Sequence, residues 1–233
     1  VRWQSLLNKN ASKMLALPGK PARLPSKYCT LGTTFCQEDN EGDFHCAAAA
    51  MNPQDNKDLL RAFPLSVRDD VLAVVSVLPE NPHGGRSFKV HVNGGTIEIP
   101  TRVYHDTASI GMRKLSSTQR HLLSCILTRH RDGYVRQKHL EQIISCSHPW
   151  VPAYVVQLLG EYVVEIQQLI EDRLKDLEPS VYRTFLLANP AFLALTEQRV
   201  ISYWDCFYRT RKRDDYVGFR VLHFFKELSA QKV

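Results

Sequence analysis

Between Trp150 and Leu174 the chain reads WVPAYVVQLLGEYVVEIQQLIEDRL, the longest stretch with an unbroken helical pattern. Its first sixteen residues are apolar on most sides. A helix of that kind is stable only when other elements pack around it. The segment is therefore expected at the centre of a helical bundle. Gln157, Glu161 and Glu165 interrupt the apolar run, so it is not read as a membrane span.

The neighbours for such a core follow from the same C-terminal half, which reads as helical from about residue 107 onward. LSSTQRHLLSCILTRH opens at Ser116 or Ser117 as N-cap and predicts a helix over 117–130 that buries Leu122, Leu123, Ile126 and Leu127. Arg131-Asp132-Gly133 is a turn, and YVRQKHLEQII predicts a second helix over 134–144. Asn189-Pro190 predicts a helix start, with Asn capping and Pro at the first helical position. The helix that follows presents Leu193, Val200, Trp204 and Phe207 along one stripe, and FRVLHFFKEL predicts the last helix.

Upstream, FKVHV, Asn93-Gly94 and GTIEI predict a β-hairpin over 88–99, because Asn-Gly supplies the two positive φ angles of a type I′ turn. A two-residue loop pairs Val92 with Gly95, His91 with Thr96, Val90 with Ile97, Lys89 with Glu98 and Phe88 with Ile99. Phe88, Val90, Ile97 and Ile99 then share one face, with Lys89 opposite Glu98 on the other. NKDLLRAF suggests a short helix. The Val-rich run 71–78 fits either a helix opened by a Ser66/Asp69 capping box or a buried strand.

Together these readings predict an α+β fold, predominantly α. A helical bundle surrounds a long central helix at about 150–174, preceded by a small β-hairpin region. Residues 1–30 are expected to be a basic, Pro-containing arm, 31–106 a small α+β region and 107–233 the bundle, with the last two also readable as one continuous domain.

Charge bears on partners. Residues 1–30 hold Arg2, Lys9, Lys13, Lys20, Arg23 and Lys27 and no acid, which accounts for the whole formal charge of +6. The body is neutral, so the basic balance of the chain describes its arm and not a nucleic-acid-binding face. An acid-free, amphipathic start also fits an organelle-targeting segment. None of the six cysteines forms a C-x-x-C pair, and three of them fall in expected apolar helices. A reducing, cytoplasmic setting fits this usage.

Chemistry is thinly signalled. Gln157, Glu161, Glu165, Gln168 and Asp172 recur at spacings of three and four, one narrow face of a continuous helix. Paired carboxylates such as Glu161 and Glu165 can serve a metal or acid–base site in a bundle. Neither has a histidine three residues on. The simpler expectation is that the stripe reaches solvent or meets Arg129, Arg131 or Arg136. His130 beside Asp132 is a further acid–base candidate without an identifiable third partner. No serine sits in a G-x-S-x-G motif, and no glycine-rich phosphate loop occurs.

Cys29, Cys36, His45 and Cys46 supply zinc-ligating atoms, although without the tight chelating pair a structural site begins with. Three consecutive helices suggest a DNA-reading module, yet the third begins with apolar Trp150–Val156 instead of basic or amide side chains. Arg209, Arg211, Lys212 and Arg213 lie beside aromatic residues and, with Arg2, Lys9 and Lys13, make single-stranded nucleic acid an alternative partner. The leading expectation is a non-enzymatic helical interaction or scaffold module with a protein partner and no cofactor. Nucleic-acid binding and an enzyme built on Glu161 and Glu165 are the alternatives.

Overall fold

The computed structural model describes residues 56–79, 86–110, 115–210 and 212–230. The chain divides between residues 49 and 50, and every described residue belongs to the unit Ala50–Val233. That unit is α+β and predominantly helical. A 3-10 turn at Asn56–Arg61 leads to α1 (Arg68–Val77) and the strands β1 (Ser87–Val92) and β2 (Gly95–Pro100). The bundle follows: α2 (Ser117–Leu127), α3 (Gly133–Ile143), α4 (Val151–Leu159), α5 (Val164–Asp172), α6 (Pro179–Ala188), α7 (Pro190–Tyr203) and α8 (Val217–Ala230).

The hairpin forms in the register that the sequence predicts, from Phe88 opposite Ile99 to Val92 opposite Gly95. Asn93 and Gly94 hold φ of 49° and 76°, the left-handed pair a type I′ turn requires. Val90, Val92, Ile97 and Ile99 are buried, and Phe88 stacks on Phe192 at 5.5 Å. Lys89 stands opposite Glu98, whose carboxylate accepts the Ser87 hydroxyl.

Asn189 does precede Pro190 at the start of α7, but its side chain does not cap that helix. It reaches the outer edge of β1 instead. His91 N–H donates to Asn189 Oδ1 at 2.7 Å, and Asn189 Nδ2 donates to His91 O and to Phe185 O, both at 2.8 Å. An edge strand leaves a donor and an acceptor facing the helices, and one amide side chain satisfies both.

The Val-rich run is the helix α1, not a strand. Its expected Ser66/Asp69 capping box does not form, because Ser66 sits inside a 3-10 turn that runs directly into the helix. Arg68 N–H already bonds to Leu65 O there. In contrast, α2 carries the full reciprocal box between Ser116 and Gln119, and α3 is capped by Asp132.

The central segment is buried and helical, in two consecutive helices instead of one rod. Every residue of α4 is buried, and it packs against α5, α6, α7 and α8. Tyr154 in its middle donates to Ala62 O and stacks on Phe63, which ties the 56–63 segment to the hub. Full burial of each such aliphatic side chain contributes about 1.5–3 kcal/mol. Helix α4 ends at Gly160, and the chain turns through Glu161–Val163 before α5 begins. The freed carbonyls of Leu159 and Glu161 both accept from Gln167 Nε2, at 3.0 and 2.8 Å, so one buried amide stabilises the break. What closes on Gly160 is a side chain and not a neighbouring backbone: an added Cβ would meet Arg199 Cδ at 3.1 Å.

Helix α7 also departs from a single apolar stripe. Leu193 and Val200 are buried, but residues Trp204–Tyr208 form a π turn. The wider turn rotates the following positions around the helix. Phe207 is thereby left 66% exposed.

Candidate functional site: a buried arginine cluster and an aromatic face

After Pro100 the chain leaves the hairpin and runs beside the end of α2. Val103 N–H donates to Arg129 O at 2.9 Å and Arg131 N–H to Val103 O at 3.0 Å. This short parallel bridge sets Arg102 next to Arg129. Arg136, in the first turn of α3, points back under the same loop and donates through Nη1 to His130 O and Arg131 O at 2.8 and 2.9 Å. The break after α4 brings Glu161 into their midst.

Glu161 Oε1 accepts from Arg102 Nη1 and Arg129 Nη2, each at 2.8 Å, and Glu161 Oε2 lies 2.9 Å from Arg136 Nε. Arg102 Nη1 and Arg129 Nη2 also donate to Thr101 O, again at 2.8 Å. The Arg129, Arg136 and Glu161 side chains are 0%, 1% and 4% exposed, while Arg102 is 30% exposed. Burial pushes the Glu161 carboxyl up, but the charges of Arg129, Arg102 and Arg136 outweigh it and hold it below the ordinary carboxylate value. Burial pushes the Arg129 guanidinium down to about 10 against the attraction of Glu161.

The remaining candidates separate into distinct places. Glu165 lies half-buried on the first turn of α5, beyond the break, while Gln168 and Asp172 are exposed. The expected carboxylate stripe is therefore divided between a buried cluster and a solvent face. Of the three arginines that the sequence suggests as partners, Arg129 and Arg136 meet Glu161. Arg131 is exposed and serves the bridge through its backbone. Arg102 had no sequence signal, since it follows Pro100 in a segment without periodicity.

His130 is buried with both ring nitrogens committed. Nε2 lies 3.0 Å from His105 O, and Nδ1 accepts Asp132 N–H at 3.1 Å, so the Nε2–H tautomer spans two backbone groups. Ser124 and His139 also come together, with Ser124 Oγ donating to Gln142 Oε1 at 2.7 Å and His139 Nδ1 3.1 Å from Ser124 Oγ. The serine proton points at the amide, so His139 is not placed as a base for it. His121 Nδ1 lies 3.1 Å from His148 Nε2, and His148 stacks on Trp150 at 4.6 Å.

Cys29, Cys36, His45 and Cys46 lie outside the described residues, as do Arg2, Lys9, Lys13 and Arg211. Among the described residues no group of three or more His, Cys, Asp or Glu is placed to hold a metal, and no helix is long and apolar enough to cross a membrane. Arg209 pairs with Asp205 at 2.8 Å. Arg213 lies over the Trp204 and Phe219 rings at 5.0 and 5.6 Å. Lys212 is exposed. The helix that a DNA-reading module would place in a groove is α4, and all of it is buried.

A second feature lies on the surface beside the cluster. Tyr162, the residue after Glu161, is 52% exposed and sits 6.1 Å from the Tyr203 ring. Tyr203 in turn stacks with Phe207 at 6.3 Å. The π turn and the α4–α5 break thus create a ladder of three rings that the helical pattern alone does not anticipate. No family model, curated protein or solved structure matches the chain.

Proposed function

We propose that the chain is a non-enzymatic interaction module, acting in a cytoplasmic setting, whose contact surface is the Tyr162–Tyr203–Phe207 ladder and whose partner is a protein. The observation that carries this reading is the exposure of Tyr162 and Phe207, 52% and 66%, in one continuous array of rings. Large aromatic side chains are costly to leave in water and are the residue types that dominate binding hot spots. Arg199, which abuts Gly160, donates to Gln157 Oε1 and lies four residues before Tyr203 on α7, gives the face a basic neighbour. An acidic rim on the partner complements it.

Support for binding over catalysis comes from the commitments of the polar groups. Glu161 is held by three arginines, His130 by two backbone groups, and the Ser124 proton by Gln142. The nucleic-acid reading has less to stand on, because Arg209 is paired with Asp205 and Arg213 covers Trp204.

The test is a quantitative comparison of the proteins retained by the immobilised full chain and by its Tyr162→Ala/Phe207→Ala variant. A protein bound by the first and released by the second, at unchanged folding, is the expected result. Equal retention by both removes the ladder as the contact surface. Retention of RNA that collapses with salt returns the nucleic-acid alternative.

A further inference from the structure

Among the described residues the arginine cluster is not complete as a set of charges or of hydrogen bonds. Three guanidinium groups face one carboxylate, an excess of two positive charges, one of them within the buried set of Arg129, Arg136 and Glu161 and the other shared with solvent through Arg102. The donors do not close either. Of the five N–H groups a guanidinium carries, Arg129 uses those on Nη2, while its Nε and Nη1 have no hydrogen-bond partner among the described residues. Arg136 uses those on Nη1 and holds Nε 2.9 Å from Glu161 Oε2, at an angle short of a hydrogen bond that leaves this one acceptor unpaired beside it. Its Nη2 has none. Buried donors without partners are rare in folded proteins, and an uncompensated buried charge is rarer.

A water molecule satisfies N–H groups but leaves the charge. A carboxylate cancels one unit of it. A phosphate group carries roughly −1.5 to −2 and three strong acceptor oxygens, and matches planar guanidinium forks in pairs. Magnitude therefore selects among the ligands.

We infer that the Arg102–Arg129–Arg136–Glu161 cluster is the receptor for a small tetrahedral oxyanion, phosphate or a phosphate monoester, admitted past Arg102. Arg102 is the half-exposed member, 30% against 4% or less for the others. Its outward swing opens the side of the cluster that holds Thr101 O and Arg129, and its return closes a third guanidinium on the anion. A monoester keeps its substituent on the Arg102 side, toward solvent. Glu161 holds the arginines converged and is a positioning residue, not a ligand. Nothing in this inference depends on the aromatic ladder, so its failure and the failure of the interaction reading are separable.

The experiment titrates the full chain with inorganic phosphate by calorimetry, at ionic strength held constant with sodium chloride, and repeats it with glycerol 3-phosphate. Saturable one-site binding is expected, weakened at least about tenfold in Arg102→Gln and unchanged in Arg173→Gln, an exposed arginine paired with Asp176. Binding of the ester as tight as or tighter than the free ion identifies a monoester, and the reverse order identifies the free ion. A variant-free measurement runs in parallel: phosphate protects Arg102 of the wild-type chain from phenylglyoxal, read by peptide mapping. Absence of saturable heat up to about 10 mM phosphate, undiminished binding by folded Arg102→Gln, or no protection of Arg102 overturns the inference.

Discussion

Removing the Glu161 carboxylate leaves three guanidinium groups facing one another, with Arg129 and Arg136 buried. Breaking a buried ion cluster by deleting one partner costs about 3–5 kcal/mol. Glu161→Gln is expected to lower the unfolding free energy by that amount, read from the urea transition at unchanged slope. The pH dependence has a definite sign. The folded-state carboxyl is held below the reference value of 4.5, so its stabilisation is complete above 4.5 and is lost as the pH falls through the lower folded value. Glu161→Gln should lack that acid limb.

His139 acts in a neighbouring window. Burial, with help from Lys138, pushes it down to about 4 from 6.5. The unfolded chain takes up the proton first, so stability present above 6.5 is lost as the pH falls toward 4, by about 3 kcal/mol. His105, His121 and His148 are lowered too, chiefly by burial, and add to the slope. The specific check is the difference between the stability curves of wild type and His139→Gln, which should be confined to that interval.

Among the elements, the outer edge of β1 is hydrogen-bonded to the bundle through the Asn189 side chain. Asn189→Ala deletes three hydrogen bonds, two of them to the partly buried His91 backbone and one to the buried Phe185 carbonyl. The expected loss is about 2–3 kcal/mol in chemical denaturation. Pro190 still opens α7, so the helix signal in circular dichroism should be retained. Two glycines distinguish side-chain from packed-core approach. At Gly218, on α8, a Cβ would meet Tyr216 Cε1 at 2.6 Å, and Gln167 Oε1 and Val200 Cγ1 at 3.1 Å. Gly218→Ala is expected to cost about 1–3 kcal/mol and, through Gln167, to loosen the α4–α5 break. Gly160→Ala meets the flexible Arg199 chain, which can move aside, and should be nearly neutral. Melting temperatures of the two variants test the ordering.

For the molecule as a whole, the hub is α4 and function is proposed at the periphery that its early end creates. Tyr162 and Phe207 are exposed, so the Tyr162→Ala/Phe207→Ala variant should keep the wild-type stability to within about 0.5 kcal/mol. Partner retention should fall together with the rings. A large fall in stability would mean that the ladder serves the fold and not a contact.

What was legible in the sequence is what short-range chemistry sets. The Asn93-Gly94 turn, the hairpin register, the N-cap at Ser116 and the apolar helices each follow from residues within about one turn or one strand of each other, and each is present. Glu161 and Glu165 could be marked as paired carboxylates, and Arg129, Arg131 and Arg136 as possible partners, from charge and helical spacing alone; of these only Glu161, Arg129 and Arg136 meet. The tertiary structure decided the rest. Arg102 meets Glu161 across 59 positions and Asn189 meets His91 across 98, distances over which no local pattern constrains pairing. The same holds for the two departures from helical period. Gln167 stabilises the break after α4 from within the core, and the π turn at Trp204–Tyr208 turns Phe207 outward. A helical period read along the chain assumes that each turn continues the last. Whether it does depends on which buried polar groups must be satisfied, and only the packed molecule settles that.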